Sequence, residues 1–330
     1  MMKNYSEWNN KTNKPIGIIN KNNTCYMNSI LQILLNIDPF VYFFLSEKYK
    51  EYSDNILLKL ISRICDYWSR NTKKTSIYPY KFIKNCLNEF DIDLNEQCDA
   101  HEFLCNLLDF IHNECKYSVK ISYKNRKTQS ELIKNCKKNW ELFCKDNYSI
   151  ITSIFIGQMR REIVCKCKNK SISYESINGL TFNVNDKHIK NSFDNYFHNE
   201  EIEYTCQNCK VKSTRKLIKR YEILPNYLII NLNRSNMYGN KNTHQYLFSE
   251  EINLKGYCEE ELTIDKETKY SLMGAVYHHG NSLNYGHYTC MVKHRDGDWY
   301  LYDDDVITKM ESEVNKRVYN SVYLLVYKRN

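Results

Sequence analysis

The 330-residue sequence predicts an α+β fold in which a helical front part meets a β-rich remainder. Two observations predict it. Through residue 149 the apolar residues recur every three or four positions, the spacing of a helix buried along one face. From residue 150 that period gives way to short β-branched and aromatic runs separated by turns, as in a mostly antiparallel sheet. Residues 1–14 read as a polar N-terminal extension and 15–330 as a single domain, helical over 15–149 and sheet-forming over 150–330.

In order, Met27, Ile30, Leu31, Leu34 and Leu35 mark a buried helix that starts near Cys25. Asp38-Pro39 interrupts it, and Phe40–Leu45 suggests a second helix packed on the first. An amphipathic helix follows over Asp54–Trp68, then a loop around Pro79, a further helical stretch at Lys81–Leu87, and Leu94–Gln97 leading into another. There Phe103, Leu104, Leu107, Leu108 and Ile111 form one stripe of a helix opened by Asp99. Residues 131–144 predict one more helix. Strands are expected at Ile150–Ile156, Ser171–Val184, Tyr227–Asn233, Tyr270–His278, His287–Lys293, Trp299–Tyr302 and Val322–Tyr327.

A hydrophobic content of 42%, with 28 tyrosines, excludes wholesale disorder. The N-terminus lacks the apolar core of a secretion signal, and no window approaches 18 uninterrupted apolar residues. The expectation is therefore an intracellular protein of the cytoplasm or nucleus, in a reducing compartment that includes a host cell if a virus or parasite encodes it. Its 14 cysteines then read as free thiols, metal ligands or a nucleophile rather than as a disulfide framework. The net charge of +8 can attract acidic surfaces. Its densest clusters, Lys124–Lys127 and Lys210–Arg220, lack the repeated basic and aromatic interleaving of a nucleic-acid binder.

One stretch carries chemistry. An Asn-rich turn from Gly17 delivers Cys25 to the first turn of its helix, where unpaired N–H groups and the helix dipole favour a thiolate, the nucleophilic form. A cysteine in that position is also common core filler, so the reading depends on a distant base. Gly286-His287-Tyr288 ends a glycine-bordered loop at the start of a strand, and Asp303-Asp304-Asp305 ends the next one. Adjacent strands can hold His287 beside a carboxylate, with Asp303 fixing the ring tautomer and His287 exchanging a proton with Cys25.

These residues resemble the ubiquitin-specific protease family of cysteine deubiquitinases. The first family box is matched by Gly17, Asn20 and Asn23-Thr-Cys25-Tyr-Met-Asn-Ser-Ile-Leu-Gln32, and the second by Gly286-His287-Tyr288, Trp299 and Asp303-Asp304. Between them stand Gln97-Cys-Asp99-Ala-His-Glu102-Phe-Leu, Ile154-Phe-Ile-Gly157 and Leu224-Pro225 through Arg234, with Tyr323–Tyr327 at the end. The resemblance spans residues 15–328.

It implies a helical thumb, a β-rich palm and extended, zinc-ribbon-like fingers. It also implies hydrolysis of the isopeptide or peptide bond after the terminal Gly-Gly of ubiquitin through an acyl-enzyme. Cys25 then resembles the nucleophile, His287 the base, Asp303 its orienting residue, Asn20 the oxyanion donor and Asp304 a supporting carboxylate. Asp99 and Glu102, three residues apart, resemble the residues that receive basic side chains of the ubiquitin tail. Gly280–Gly286 and Ser235–Tyr246 would flank the tail channel. The implied partners are ubiquitin and ubiquitinated proteins or polyubiquitin, with no catalytic cofactor, no membrane, no nucleic acid and a monomeric enzyme. The rival readings are a protease for another ubiquitin-like modifier, or a ubiquitin-binding scaffold of weak activity.

Cys165-Lys-Cys167 and Cys206-Gln-Asn-Cys209 offer four sulfurs for a structural zinc at the tips of the fingers. The one-residue spacing of the first pair departs from the family's usual two. Lys21-Asn22 replaces the usual Leu-Gly of the first box, and Asn22 is expected to take over the left-handed backbone of that glycine. Ser235 and Ser249 stand where the family has an aromatic residue and a proline.

Overall fold

The computed structural model describes residues 13–93, 96–121, 130–236, 238, 240–259, 267–283, 285–310 and 320–330. The Lys124–Lys127 cluster, residues 1–12 of the N-terminal extension and Leu94 at the entry to the Asp99 helix lie outside them.

The front part is helical, as its periodicity predicts. After the short strand β1 (Gly17–Ile18) come α1 (Cys25–Leu35), α2 (Asp38–Leu45) and α3 (Ile56–Ser69). Pro39 sits in the first turn of α2, where its missing N–H costs nothing. Asn55 caps α3 by accepting from the Leu57 amide at 2.8 Å. β2 (Ser76–Ile77) pairs in parallel with β1, and α4 (Tyr80–Glu89), α5 (Ala100–Cys115) and α6 (Glu131–Cys144) follow.

The segment expected as a strand at Ile150–Ile156 is instead helix α7 (Ile150–Phe155). Its β-branched residues favour a strand, but Ser149 accepts from the Ile151 and Thr152 amides while Thr152 accepts from the Ser149 amide, a reciprocal cap that starts a helix.

Two sheets make up the rest. The first contains β3 (Gly157–Val164), β4 (Lys170–Ile177), β6 (Glu200–Thr205) and β7 (Lys212–Ile223), antiparallel in the order β4-β3-β7-β6. These are the fingers. The predicted Ser171–Val184 strand is divided: β4 belongs to the fingers, while β5 (Leu180–Asn183) joins the other sheet, in parallel with β8 (Tyr227–Asn233). The helix α8 (Ile189–Phe197) lies between β5 and β6 in the chain.

The second sheet, the palm, adds β9 (Glu251–Asn253), β10 (Lys269–His279), β11 (His287–Lys293), β12 (Trp299–Asp303), β13 (Val306–Met310) and β14 (Val322–Arg329). Its order is β13-β12-β11-β10-β14-β8-β5, with β9 on β10. Both faces are covered, which explains the unbroken apolar run of β14: Leu324 and Val326 join the core formed with α1–α5, whereas Leu325 and Tyr327 join the core containing α8 residues Ile189, Phe193 and Phe197.

Arg160 of β3 gathers three carboxylates, two from the finger strands and Glu259 from the segment between β9 and β10. It is buried and reaches Glu222 at 2.6 Å, and also pairs with Glu162 and Glu259. The Lys210–Arg220 cluster lies mostly on β7, where Lys219 and Lys212 pair with Glu200 and Glu203 of β6 at 3.2 and 2.7 Å.

Candidate active site

Helix α1 begins at Cys25. Its N-cap Thr24 offers no side-chain cap; the Thr24 amide and hydroxyl both donate instead to Asn20 Oδ1, at 3.0 and 3.1 Å. The helix start keeps unpaired N–H groups facing the site. The left-handed residue of the preceding turn is Asn23, at φ 49°, and not Asn22 as the sequence suggested. Asn at either position accommodates that backbone, so the turn survives the loss of glycine. At Gly17 an added Cβ would lie 2.6 Å from Asp305, so the first box passes directly against the end of the second.

His287 opens β11, and Asp303 closes β12. His287 Nε2 lies 2.6 Å from Asp303 Oδ1. The Cys25 side chain beside it, together with Asp303, pushes the His287 pKa up to about 9 despite partial burial. Its neighbours behave oppositely. Burial pulls His278 down to about 4 and lowers His279 as well. At neutral pH the charge therefore sits on His287 alone among the three.

The strand ends between the two aspartates: Asp304 is left-handed at φ 52°. Adjacent residues within a strand face opposite ways, and the turn releases Asp304 from that alternation. Asp304 Oδ2 accepts from Asn20 Nδ2 at 3.0 Å and Oδ1 from Asn28 Nδ2 at 2.7 Å, while its carbonyl accepts from the Ile18 amide at 3.0 Å. Burial raises the Asp304 pKa. One residue thus fastens the second box to the first, and Asn28, with no role read from the sequence, is part of that clasp.

Gln97 is the other residue whose role sequence reasoning missed. Its amide nitrogen donates to the Gly286 carbonyl at 2.8 Å, and its oxygen accepts from the Gly286 N–H at 2.7 Å. This two-way clamp holds the backbone immediately before His287. Gly286 must be glycine here, since an added Cβ would come within 2.1 Å of the His279 carbonyl. Its signal in the sequence is its place at the head of the matched stretch Gln97-Cys-Asp99.

A cleft of about 780 Å³ runs between α5 and the palm, next to the clamp. Asp91, Asp93, Glu96, Asp99 and Glu102 line one side of it, and Asn231, Arg234 and His278 the other. Asp99 is not on the helix face with Glu102, as the three-residue spacing implied. It is the N-cap of α5, accepting from the His101 and Glu102 amides at 2.7 and 3.0 Å, and its other oxygen takes the Tyr323 hydroxyl. Asp99 is therefore committed to capping, while Glu102 keeps an exposed carboxylate at the cleft.

At the finger tips the four sulfurs of Cys165, Cys167, Cys206 and Cys209 lie within 4.8 Å of one another. Two of the separations, Cys165–Cys209 and Cys167–Cys206, are 3.7 Å. A tetrahedral zinc with ~2.3 Å bonds has sulfur–sulfur edges of roughly 3.8 Å, so the set fits a metal. The short spacing of the first pair is matched by a tighter turn: the Cys165 carbonyl accepts from Lys168, three residues on, where the Cys206 carbonyl accepts from Lys210, four on. Lys168 and Lys210 are both left-handed. Asn169, Asn208 and Arg215 place N–H groups 3.8–4.0 Å from the sulfurs, favouring thiolates. Backbone hydrogen bonding draws Cys165 down to about 6 and lowers Cys206, whereas Cys209, despite a bond of the same kind, is pushed up to about 11 by desolvation and the three neighbouring sulfurs, so without a metal the set does not ionise fully.

A family model described as "Ubiquitin carboxyl-terminal hydrolase" matches residues 16–327. Among similar proteins, the probable ubiquitin carboxyl-terminal hydrolase 16 of Schizosaccharomyces pombe is 27% identical, over 98% of this chain and 68% of its own length. Ubiquitin carboxyl-terminal hydrolase 25 of Arabidopsis thaliana is 28% identical over 96% of this chain, which spans only 47% of that protein. Among solved structures, a chain of the SAGA Ubp8/Sgf11/Sus1/Sgf73 DUB module bound to ubiquitin aldehyde superposes with a TM-score of 0.73 at 22% identity, over 96% of this chain and 70% of that one. The likeness to these structures bears on the fold.

Proposed function

The chain belongs to the ubiquitin carboxyl-terminal hydrolase family, and from that premise we propose that it hydrolyses the bond after the C-terminal Gly-Gly of ubiquitin. The observation that carries the reading is the placement of His287 beside the Cys25 side chain and 2.6 Å from Asp303 Oδ1, neighbours that push its pKa up to about 9. A thiolate–imidazolium pair holds both the nucleophile and the proton that the leaving amine needs.

Cys25 Sγ attacks the terminal glycine carbonyl, and the carbonyl oxygen takes the negative charge. One Asn20 N–H is committed to Asp304, and the second N–H, with the amides at the start of α1, is offered to that oxyanion. As the C–N bond breaks, the His287 proton passes to the departing lysine amine. Water then gives a proton to His287 and its oxygen to the thioester, and ubiquitin leaves as a carboxylic acid with the Cys25 thiolate restored. Asp303 holds the ring by Nε2 throughout, so Nδ1 is the nitrogen that serves Cys25.

The ubiquitin tail fits the cleft beside Gln97, with Glu102 and the acidic wall of Asp91, Asp93 and Glu96 receiving its basic side chains. The four finger cysteines would hold one structural zinc. With all four positions filled by protein, such an ion braces the β3–β4 and β6–β7 turns and takes no part in the chemistry.

Reaction with a panel of C-terminal electrophilic probes built on ubiquitin and related modifiers tests the proposal. The expected result is a covalent adduct with the ubiquitin probe that disappears in Cys25→Ser while non-covalent binding persists. Labelling by a related modifier alone would assign the chain to the rival modifier, and no labelling with retained ubiquitin affinity would make it a scaffold.

A further inference from the structure

The thumb carries a second concavity that the reaction does not use. It has a volume of about 530 Å³ and lies against the strand that leads into the Asn20 turn. Its floor is apolar, with Ile19, Leu60, Ile64, Ile77 and Phe82 among the residues that line it. Tyr67 and Tyr80 stand at its rim, 55% and 54% exposed. Exposed aromatic rings above an aliphatic floor are a common mark of an interaction surface.

The charged side chains among its described lining residues have one sign. Arg63, Lys74 and Lys81 line the groove, and among the described residues no acidic side chain does. Between Asp66 and Glu89 the sequence contains Arg70, Lys73, Lys74, Lys81 and Lys84, and neither Asp nor Glu. Asp66 is committed to Arg70 at 2.6 Å. Among the described residues Arg63, Lys74 and Lys81 form no ion pair, in contrast to the finger lysines with their facing glutamates. An uncompensated cationic rim selects an acidic occupant.

Cations beside aromatic rings would also suit single-stranded nucleic acid, but bases need open ring faces. Two of the tyrosines do not offer them: the Lys74 ammonium lies 4.9 Å over the Tyr67 ring, and that of Lys21 lies 4.6 Å over Tyr78. Tyr78 also packs on Tyr80, with ring centroids 6.0 Å apart. The aliphatic floor instead suits a single apolar side chain.

We propose that this groove docks a short acidic segment of a partner protein, with an apolar anchor seated on Ile19, Ile64 and Ile77 and flanking carboxylates on Arg63, Lys74 and Lys81. The occupant would touch Ile19, whose N–H donates to the Ile77 carbonyl at 2.8 Å and which immediately precedes Asn20. Docking therefore takes place on the backbone that leads into the catalytic turn.

Fluorescence anisotropy of a labelled Asp-Glu-Leu-Phe-Asp-Glu peptide against the full chain tests this. Saturable binding is expected, weakening at least about fivefold between 50 and 300 mM salt. The Lys74→Glu, Lys81→Glu double variant should weaken it about tenfold or more, with kcat/KM on a ubiquitin substrate unchanged. Lys74→Gln with Lys81→Gln should shift affinity in the same direction, which guards against a folding effect of charge reversal. The proposal is overturned by no saturation at 1 mM peptide, by equal binding of a peptide with lysines in place of its acids, or by tighter binding of oligothymidylate. A dimer at high protein concentration that the double variant abolishes would overturn it in favour of a second copy. Peptide binding seen only after removal of residues 1–12 would overturn it in favour of that segment.

Discussion

Replacing Gln97 with Ala removes both hydrogen bonds to the Gly286 backbone, the donated one at 2.8 Å and the accepted one at 2.7 Å. Each is worth about 1 kcal/mol net, and half-buried Gly286 can recover part of the loss from water. The expected penalty is therefore about 1–2 kcal/mol, or roughly 5- to 30-fold in kcat/KM. The direction of the split matters more than its size. Gly286 precedes His287, so a loosened clamp costs kcat, because the base spends less time aligned with Cys25 and Asp303. Gln97 also lines the cleft, and if its work were to hold the ubiquitin tail, KM would rise instead. Gln97→Glu keeps the acceptor, loses the donor and sets a carboxylate against a carbonyl, so it should be at least as impaired at neutral pH. Steady-state hydrolysis of ubiquitin carrying a C-terminal fluorogenic amide separates the two constants. A Gln97→Ala enzyme within twofold of the wild type, or one impaired only in KM, would refute the positioning role.

Three other outcomes are expected. The raised pKa of His287, about 9 against an ordinary 6.5, means that its stabilising contribution is complete below pH 6.5 and is lost as pH rises through 9. The alkaline limb of kcat/KM should fall near pH 9, and in Cys25→Ser, which removes the largest cause of the shift, NMR titration of His287 should move downward; an unmoved value would contradict the ion pair. Elemental analysis of protein purified without a metal-binding tag should find one zinc per chain, and Cys206→Ser should lose it and expose the finger turns to proteolysis while turnover of small reporters persists. Glu102→Gln should impair cleavage of full ubiquitin more than of a truncated Gly-Gly reporter, by a factor of about 10 or more if a desolvated contact worth ~2 kcal/mol is lost, and equal losses on both would count against tail reading.

Much of this molecule is legible in its sequence where a single physical signal dominates. The periodic stripe of α5 and the apolar runs of β8, β11 and β14 were read to within a few residues, because burial on one or both faces leaves an unambiguous pattern. The finger strands were less legible. β3 carries Arg160, Arg161 and Glu162 in its middle, which breaks the alternation a strand should show, and Arg160 is tolerated only because Glu222 and Glu259 arrive from distant parts of the chain. The misreading of α7 had a local cause, since Ile150, Ile151, Thr152 and Ile154 suit a strand, and the deciding signal was the cap at Ser149. At the site, the residues with a chemical identity, Cys25, His287 and Asp303, could be named in advance. The residues that hold them, Gln97 and Asn28, are uncharged amides whose value lies entirely in what folding brings opposite them.

The order of strands in the palm also bears on how such a protease is made. β14 follows every other described strand in the chain, yet it lies between β10 and β8 near the centre of the sheet. During synthesis from the N-terminus, Cys25 and its helix emerge early, but until residues 322–329 leave the ribosome the sheet that carries His287 lacks the interior strand that joins β10 to β8. β10 then has an open edge on that side, so β11, which carries His287, is paired with a strand that is itself only half bonded. A nascent chain therefore exposes a thiol without a working protease around it, and cleavage competence arrives with the closing of the sheet. Any cut or frameshift that removes β14 should yield a silent protein rather than a deregulated one.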